Sequence, residues 1–193
     1  PDDAVYGCTD SGALNYDPGA TFDDGSCIYQ GVVDIDGNVY ASIIIGDQEW
    51  MADNLRVAHY RNGDPIQTGY SNSEWFELGE TETGGYTIYD DDAAHTEIFG
   101  LLYNWYTVGD SRNIAPEGWH VPSNEEWTEL IEYLGGYSMA GGPLKAIGTV
   151  EGEDGLWYEP NGGATNESGF TALPGGYRDG IDGLYFDIGY YGS

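Results

Sequence analysis

Two cysteines, Cys8 and Cys27, enclose 18 residues that contain Asp10, Asn15, Asp17, Asp23 and Asp24. Carboxylates and an Asn amide oxygen set this close are hard oxygen donors of the kind that Ca²⁺ takes. The same interval holds the turn formers Gly12, Pro18, Gly19 and Gly25 and very little that builds a core. Burial cannot offset the ordering entropy of such a segment, so it needs a covalent staple, a metal, or both. A Cys8–Cys27 bridge would remove roughly 3 kcal/mol of unfolded-state entropy. The alternative is a flexible acidic linker whose cysteines are incidental.

Charge points the same way. The chain has 34 acidic residues against 5 basic ones, a net charge of -29 in 193 residues. Nucleic acid and anionic membrane surfaces need a positive patch and are excluded as partners. Self-repulsion at this density opposes compaction unless cations condense on it. Extracellular modules bind calcium at about 10⁻⁴–10⁻³ M, so an extracellular or cell-surface location is expected. The chain opens at Pro1 without Met, which reads as the mark of a removed leader. No apolar run is long enough for a membrane span.

The elements around these residues divide the chain into an acidic module at residues 1–30 and a main domain at residues 31–193. The main domain begins as a β-meander. Val32–Ile35 and Val39–Ala41 flank Asp36-Gly37-Asn38, a hairpin signal, and Ser42–Ile45 turns at Gly46-Asp47 into Gln48–Met51. One helix is clear, residues 124–134. Ser123 and Glu126 form a capping box, and Trp127, Leu130, Ile131 and Leu134 mark one buried face. Residues 98–108 suit either a buried helix or a buried strand. Beyond Gly135 the chain is Gly-rich turns with short aromatic runs. The class is α+β, dominated by strands.

The blocks GNVYASIIIGDQEWMADNLR, GLLYNWYTV, APEGWHVPSNEEWTELIEYLGG and GGATNESGFTALPGGYRD, in that order, closely resemble the Fibrobacter succinogenes major paralogous domain. The resemblance implies a C-type-lectin-like, formylglycine-generating-enzyme-like fold, a twisted antiparallel sheet over a helix that VPSNEEW begins. It also implies an exported bacterial surface protein and no established reaction. Residues 1–30 resemble the calcium-wrapping repeats of thrombospondins. The family's domain normally continues past GLYFDIGYYGS, so either the sequence is cut there or the closing strands are missing, and in the second case a sheet edge is open to pairing with other chains.

Catalysis is not expected. The formylglycine-generating relatives use two cysteines in the lectin-like domain, whereas both cysteines here precede it. His59, His95 and His120 are scattered, and His120 reads as a packed, hydrogen-bonded imidazole. Glu159-Pro160-Asn161 reproduces the signature by which mannose-type C-type lectins hold calcium and sugar hydroxyls, with Asn166 and Glu167 close behind. This gives a second candidate, a sugar and calcium loop, although the lectins' downstream Trp-Asn-Asp partner is missing. Asn166-Glu167-Ser168 is also a glycosylation sequon. The five basic residues, Arg56, Arg61, Arg112, Lys145 and Arg178, are each expected to have carboxylate partners, Arg56 and Arg178 as ion-pair or carbonyl anchors. The expected function is a non-catalytic structural or adhesive protein, calcium-stabilised, forming a homo-oligomer or filament. The alternative is a calcium-dependent carbohydrate-binding module with glycan partners.

Overall fold

A computed structural model describes residues 4–9, 13, 16–23 and 31–189. Strands β1 (Tyr6–Gly7) and β2 (Phe22–Asp23) pair in parallel, Tyr6 opposite Phe22 and Gly7 opposite Asp23. The meander follows the sequence signals. Strand β3 (Val32–Val33) pairs antiparallel with β4 (Val39–Tyr40), and β5 (Ser42–Ile45) with β6 (Gln48–Met51). Gly46 makes the second turn with φ of 64°, a left-handed conformation that Gly adopts at no steric cost.

The β3–β4 turn is built on Asp34, which is 7% exposed. Its Oδ1 accepts the backbone N–H groups of Asp36 and Asn38, both at 2.9 Å. Its Oδ2 accepts the Asn38 amide at 2.8 Å and the Tyr40 hydroxyl at 2.6 Å. A buried carboxylate is tolerated because its oxygens meet donors.

Helix α1 (Asn72–Glu80) lies where the sequence reading placed none, so the expectation of a single clear helix is corrected. Its signals are local: Ser71 and Glu74 form a capping box, and Trp75 and Leu78, one turn apart, are its buried residues. Residues 98–108 are neither one helix nor one strand. Strand β7 (Tyr86–Thr87) leads through two 3₁₀ turns into the short helix α2 (Thr96–Phe99). Strand β8 (Leu102–Tyr103) then pairs back on β7, and Asn104 caps α3 (Trp105–Val108). Gly100, with φ of 71°, breaks the run where it meets the 54–55 backbone, and a Cβ there would lie 2.6 Å from the Leu55 carbonyl.

Helix α4 (Asn124–Tyr133) carries the expected capping box. Leu130 is fully buried, but Trp127 is 37% exposed, so the expected face is only partly covered. The short α5 (Gly141–Leu144) and the hairpin β9 (Tyr177–Arg178) with β10 (Tyr185–Phe186) complete the described elements. The expected continuous twisted sheet is not found among the described residues. They form five separate two-stranded ribbons, four antiparallel and one parallel. Four of the five have only two residues per strand, too short to recruit a third strand.

Two apolar clusters replace a single sheet-backed core. Val57, Tyr60, Ile66 and Ile114 form one. Ile45, Trp50 and Leu130 form the other, under the β5–β6 ribbon and against α4. Arg178 fastens the last hairpin without a carboxylate. It is 8% exposed, donates to the carbonyls of Gly183 and Tyr70 and to the side-chain oxygens of Thr87 and Asn72, and lies between the Trp75 and Tyr185 rings.

Replacing Asp34 with Ala strands the Tyr40 hydroxyl and three other donors. The expected loss is about 3–5 kcal/mol, against about 1–2 kcal/mol for Tyr40→Phe, read by urea denaturation. Equal losses would show that the turn does not depend on the carboxylate.

Candidate functional site

The principal cavity among the described residues is a cleft of about 580 Å³ between the two apolar clusters. Its walls come from the 48–56 segment, residues 97–100, the 114–122 loop, the start of α4 and residues 170–173. The volume falls within the range typical of ligand sites.

The floor is aromatic. Trp50 and Trp127 lie 4.7 Å apart between ring centroids, and Phe170 sits 6.0 Å from Trp50 and 6.1 Å from Trp127, edge-on to both. Such tilted and edge-to-face geometries are favoured by the ring quadrupoles. Trp50 is held by its cross-strand position opposite Ile43. Its indole N–H donates to Gln48 Oε1 at 3.3 Å, and the Gln48 amide donates to the Glu126 carbonyl at 3.1 Å, tying β6 to α4. Trp119 lines the opposite wall. The loop carrying it is clamped by Arg61, which donates to the carbonyls of Ala115, Pro116 and Trp119 at 2.7–3.0 Å.

The ionisable groups at the rim are mostly committed. One Glu126 oxygen accepts the Ser123 N–H at 2.8 Å, and the other faces His120 Nε2 at 2.7 Å. These contacts, the Ser123 backbone bond first and the His120 contact second, hold the Glu126 carboxyl below its ordinary value of 4.5. His120 is bonded as expected but is not packed, with 65% of its side chain exposed. Asp53 accepts the Ala41 N–H at 2.6 Å, and Glu49 accepts the Ser42 hydroxyl at 2.7 Å. Glu97 is 80% exposed and reaches Arg56 only at 4.0 Å.

The candidates nominated by sequence lie elsewhere. Asp10, Asn15, Asp24 and Cys27 fall outside the described residues. Cys8 is 1% exposed and is not a free thiol. Asp17 accepts the Gly19 N–H at 2.8 Å in a tight turn, and its carboxylate lies against Gly7. Gly7 in turn pairs with Asp23, so two of the five proposed ligands flank one residue. Among the described residues no three His, Cys, Asp or Glu side chains converge as a metal group.

In the second candidate loop the Glu159–Pro160 peptide is cis. Asn161 donates to the carbonyls of Ala146 and Gly148, both at 2.9 Å, and its Oδ1 is buried without a partner. Asn166 closes its own turn, donating to Thr171 Oγ1 at 3.0 Å and accepting the Thr171 N–H at 2.9 Å. Both amides are spent inside the protein instead of facing solvent beside Glu159 and Glu167, which are exposed.

The basic residues follow two rules. Arg112 meets Asp110 at 2.7 Å and Asp64 at 3.2 Å, as expected. Arg61 and Arg178 are held chiefly by backbone carbonyls, and Lys145 lies over the Trp157 ring at 4.1 Å instead of meeting a carboxylate. The sequence reading did not nominate Trp50, Trp119, Trp127 or Phe170 as a site. No local spacing could have done so, because the four rings come from segments up to 120 residues apart.

The family model described as Fibrobacter succinogenes major domain matches residues 43–192, which include every wall of the cleft. The chain belongs to that family. No curated protein and no solved structure matches it.

Because the Glu126 carboxyl is held below its ordinary value, its contribution to stability is fully present above about pH 4.5. It is lost as pH falls through the lower folded-state value. Thermal denaturation across acidic pH should show a decline that Glu126→Gln flattens. A Glu126→Gln profile parallel to the parent's would mean that the capping contact carries no pH dependence.

Proposed function

We propose that this member of the Fibrobacter succinogenes major domain family is a non-catalytic structural or adhesive module of an exported bacterial surface protein, and that the aromatic cleft is its contact site. The observation that carries this reading is the nature of the cleft. Its floor is three packed aromatic rings, and of the ionisable groups at its rim Glu126 and His120 are bonded to each other and to a helix cap, Glu49 and Asp53 accept the Ser42 hydroxyl and the Ala41 N–H, and Glu97 stands exposed in solvent. A general acid or base has to be free to reach a substrate proton. An aromatic surface with fixed polar groups at its margin suits binding. Kinship to C-type-lectin-like folds belongs to the same reading, supported by a capped helix packed under an antiparallel ribbon.

The purified chain should be retained on immobilised bacterial envelope, and Trp127→Ala should lower that retention about tenfold, the loss typical of a central aromatic contact. Equal retention of parent and variant would remove the cleft from the proposal.

Calcium stabilisation is part of the reading. Asp10, Asn15, Asp17, Asp23 and Asp24 would hold the ion, which would supply a charge-neutralising crosslink to a segment poor in apolar residues, beside a Cys8–Cys27 bridge. The Asp17 carboxylate beside Gly7 supplies one hard oxygen to such a site, and Asp23 lies on the strand paired with Gly7. Self-assembly into a fibre draws on exposed apolar side chains at both ends of the described chain. Tyr6 and Phe22 are 65% and 61% exposed and pack on each other, and Ile181 at the last hairpin is 81% exposed beside the Tyr177–Phe186 stack. Contacts between two unlike patches that do not close into rings propagate as filaments.

Chelation should make the 4–23 region labile to hydrogen exchange while leaving 31–189 protected, and sedimentation in millimolar calcium should show multimers. Unchanged exchange after chelation would refute the calcium assignment, and a strict monomer at high concentration would refute assembly.

A further inference from the structure

Resting on the reading of the cleft as a contact site, we propose that its occupant is a basic segment of another polypeptide, which lays the methylene stems of Lys or Arg on the Trp50–Trp127–Phe170 floor and directs their charged heads to the rim. The floor asks for an apolar body. Trp127 is 37% exposed above the buried Trp50, so part of its surface is open at the mouth of the cleft. The rim asks for a positive charge. Glu49, Asp53 and Glu97 border the cavity, and Glu97 is 80% exposed with only a long, 4.0 Å contact to Arg56.

Arg56 also lines the cavity, 4.0 Å from Glu97, and offsets at most that one carboxylate, leaving Glu49 and Asp53. Its guanidinium lies over the Tyr40 ring at 4.9 Å and donates to the Val39 carbonyl at 3.2 Å, on the hairpin behind the wall. A net charge of -29 extends the same sign over the whole surface, attracting cationic ligands and repelling anionic ones. A free metal ion would leave the aromatic floor uncovered. An uncharged apolar group would leave the rim unused. A long side chain with an apolar stem and a cationic head satisfies both demands, through burial of the stem and attraction of the head to ring faces and carboxylates.

A second copy of this chain is a poor occupant. It has only five basic residues, and all five are engaged within the fold. Arg61 holds three carbonyls, and Arg178 is buried on four acceptors. Arg112 pairs with two aspartates, Lys145 covers Trp157, and Arg56 is turned to Tyr40. Freeing any one of them would break a structural contact. The partner is therefore a different and basic protein, and assembly between copies would run through other surfaces.

The test is a fluorescence and calorimetric titration of the full chain with a short synthetic peptide alternating Lys and Leu, the same peptide with its lysines acetylated, and a neutral cello-oligosaccharide. The lysine peptide should bind, with affinity falling about tenfold as sodium chloride rises from roughly 0.05 M to roughly 0.5 M. Acetylation and Trp127→Ala should each weaken it about tenfold, and the exposed Glu97→Gln about threefold with a flatter salt response. Circular dichroism checks that both variants fold. Equal binding of the acetylated peptide, or Trp127-dependent binding of the oligosaccharide alone, would overturn the cationic class while keeping the cleft as a site. Failure of every probe, together with envelope retention that Trp127→Ala does not change, would remove the cleft reading itself.

Discussion

The Asp34 carboxylate is the contact on which the rest of the main domain depends. By accepting two backbone N–H groups, the Asn38 amide and the Tyr40 hydroxyl, it makes a rigid body of the first hairpin. The Tyr40 oxygen also accepts the Arg56 N–H at 3.1 Å, and Asp36 in the same turn accepts the Ala58 N–H at 2.6 Å and meets His59. The hairpin thus seizes residues 56–59 along their backbone. That grip points Val57 and Tyr60 into one apolar cluster, where Tyr103 donates to the Val57 carbonyl at 2.7 Å. It also fixes the 54–56 wall of the cleft. Burial and the neighbouring Asp34 carboxylate push the Tyr40 hydroxyl far above its ordinary value, so it remains a donor at any physiological pH.

A chain this acidic cannot bind its parts together by scattering ion pairs, because it has too few cations. It places each one at a junction. Arg61 joins the 60–66 turn to the 115–119 loop, Arg178 joins the last hairpin to α1 and β7, and Lys145 covers the indole of Trp157. Carbonyls and rings serve as acceptors there. A guanidinium satisfied by neutral oxygens needs no carboxylate buried beside it, and Arg suits this because its donors form a fixed fork. Apart from Asp34, most carboxylates are left on the outside, where they create the field that bears on any ligand.

The cleft follows from how the core divides. Ribbons this short cannot merge into one sheet, so the apolar residues gather into two clusters, one under β5–β6 and α4 and one around Tyr60. The cavity is the seam between them. Its walls are tied by Gln48 to α4, by Asn54 to the Phe99 carbonyl at 3.0 Å, by the Leu101 N–H to the Leu55 carbonyl at 3.0 Å, and by the Arg61 clamp.

The sequence by itself determined whatever depends on neighbours within a few residues. Asp-Gly and Gly-Asp turns set both hairpins of the meander where expected, although β3 ends at Val33 and the first connection is longer than a two-residue turn, and Ser123 with Glu126 started α4. The α1 signal in Ser71, Glu74, Trp75 and Leu78 is equally local. The -29 charge was also legible, and with it the expectation that anionic partners are repelled. Tertiary structure decided the rest. Only long-range packing could show that Trp127 looks into a cleft beside Trp50 and Phe170, or that Asn161 and Asn166 turn inward to close their own loop. The same holds for which acceptors each arginine finds, since Arg178 meets partners more than ninety positions away. Periodicity reports which residues seek burial, but the neighbour each one meets is settled by where the remaining segments can fit.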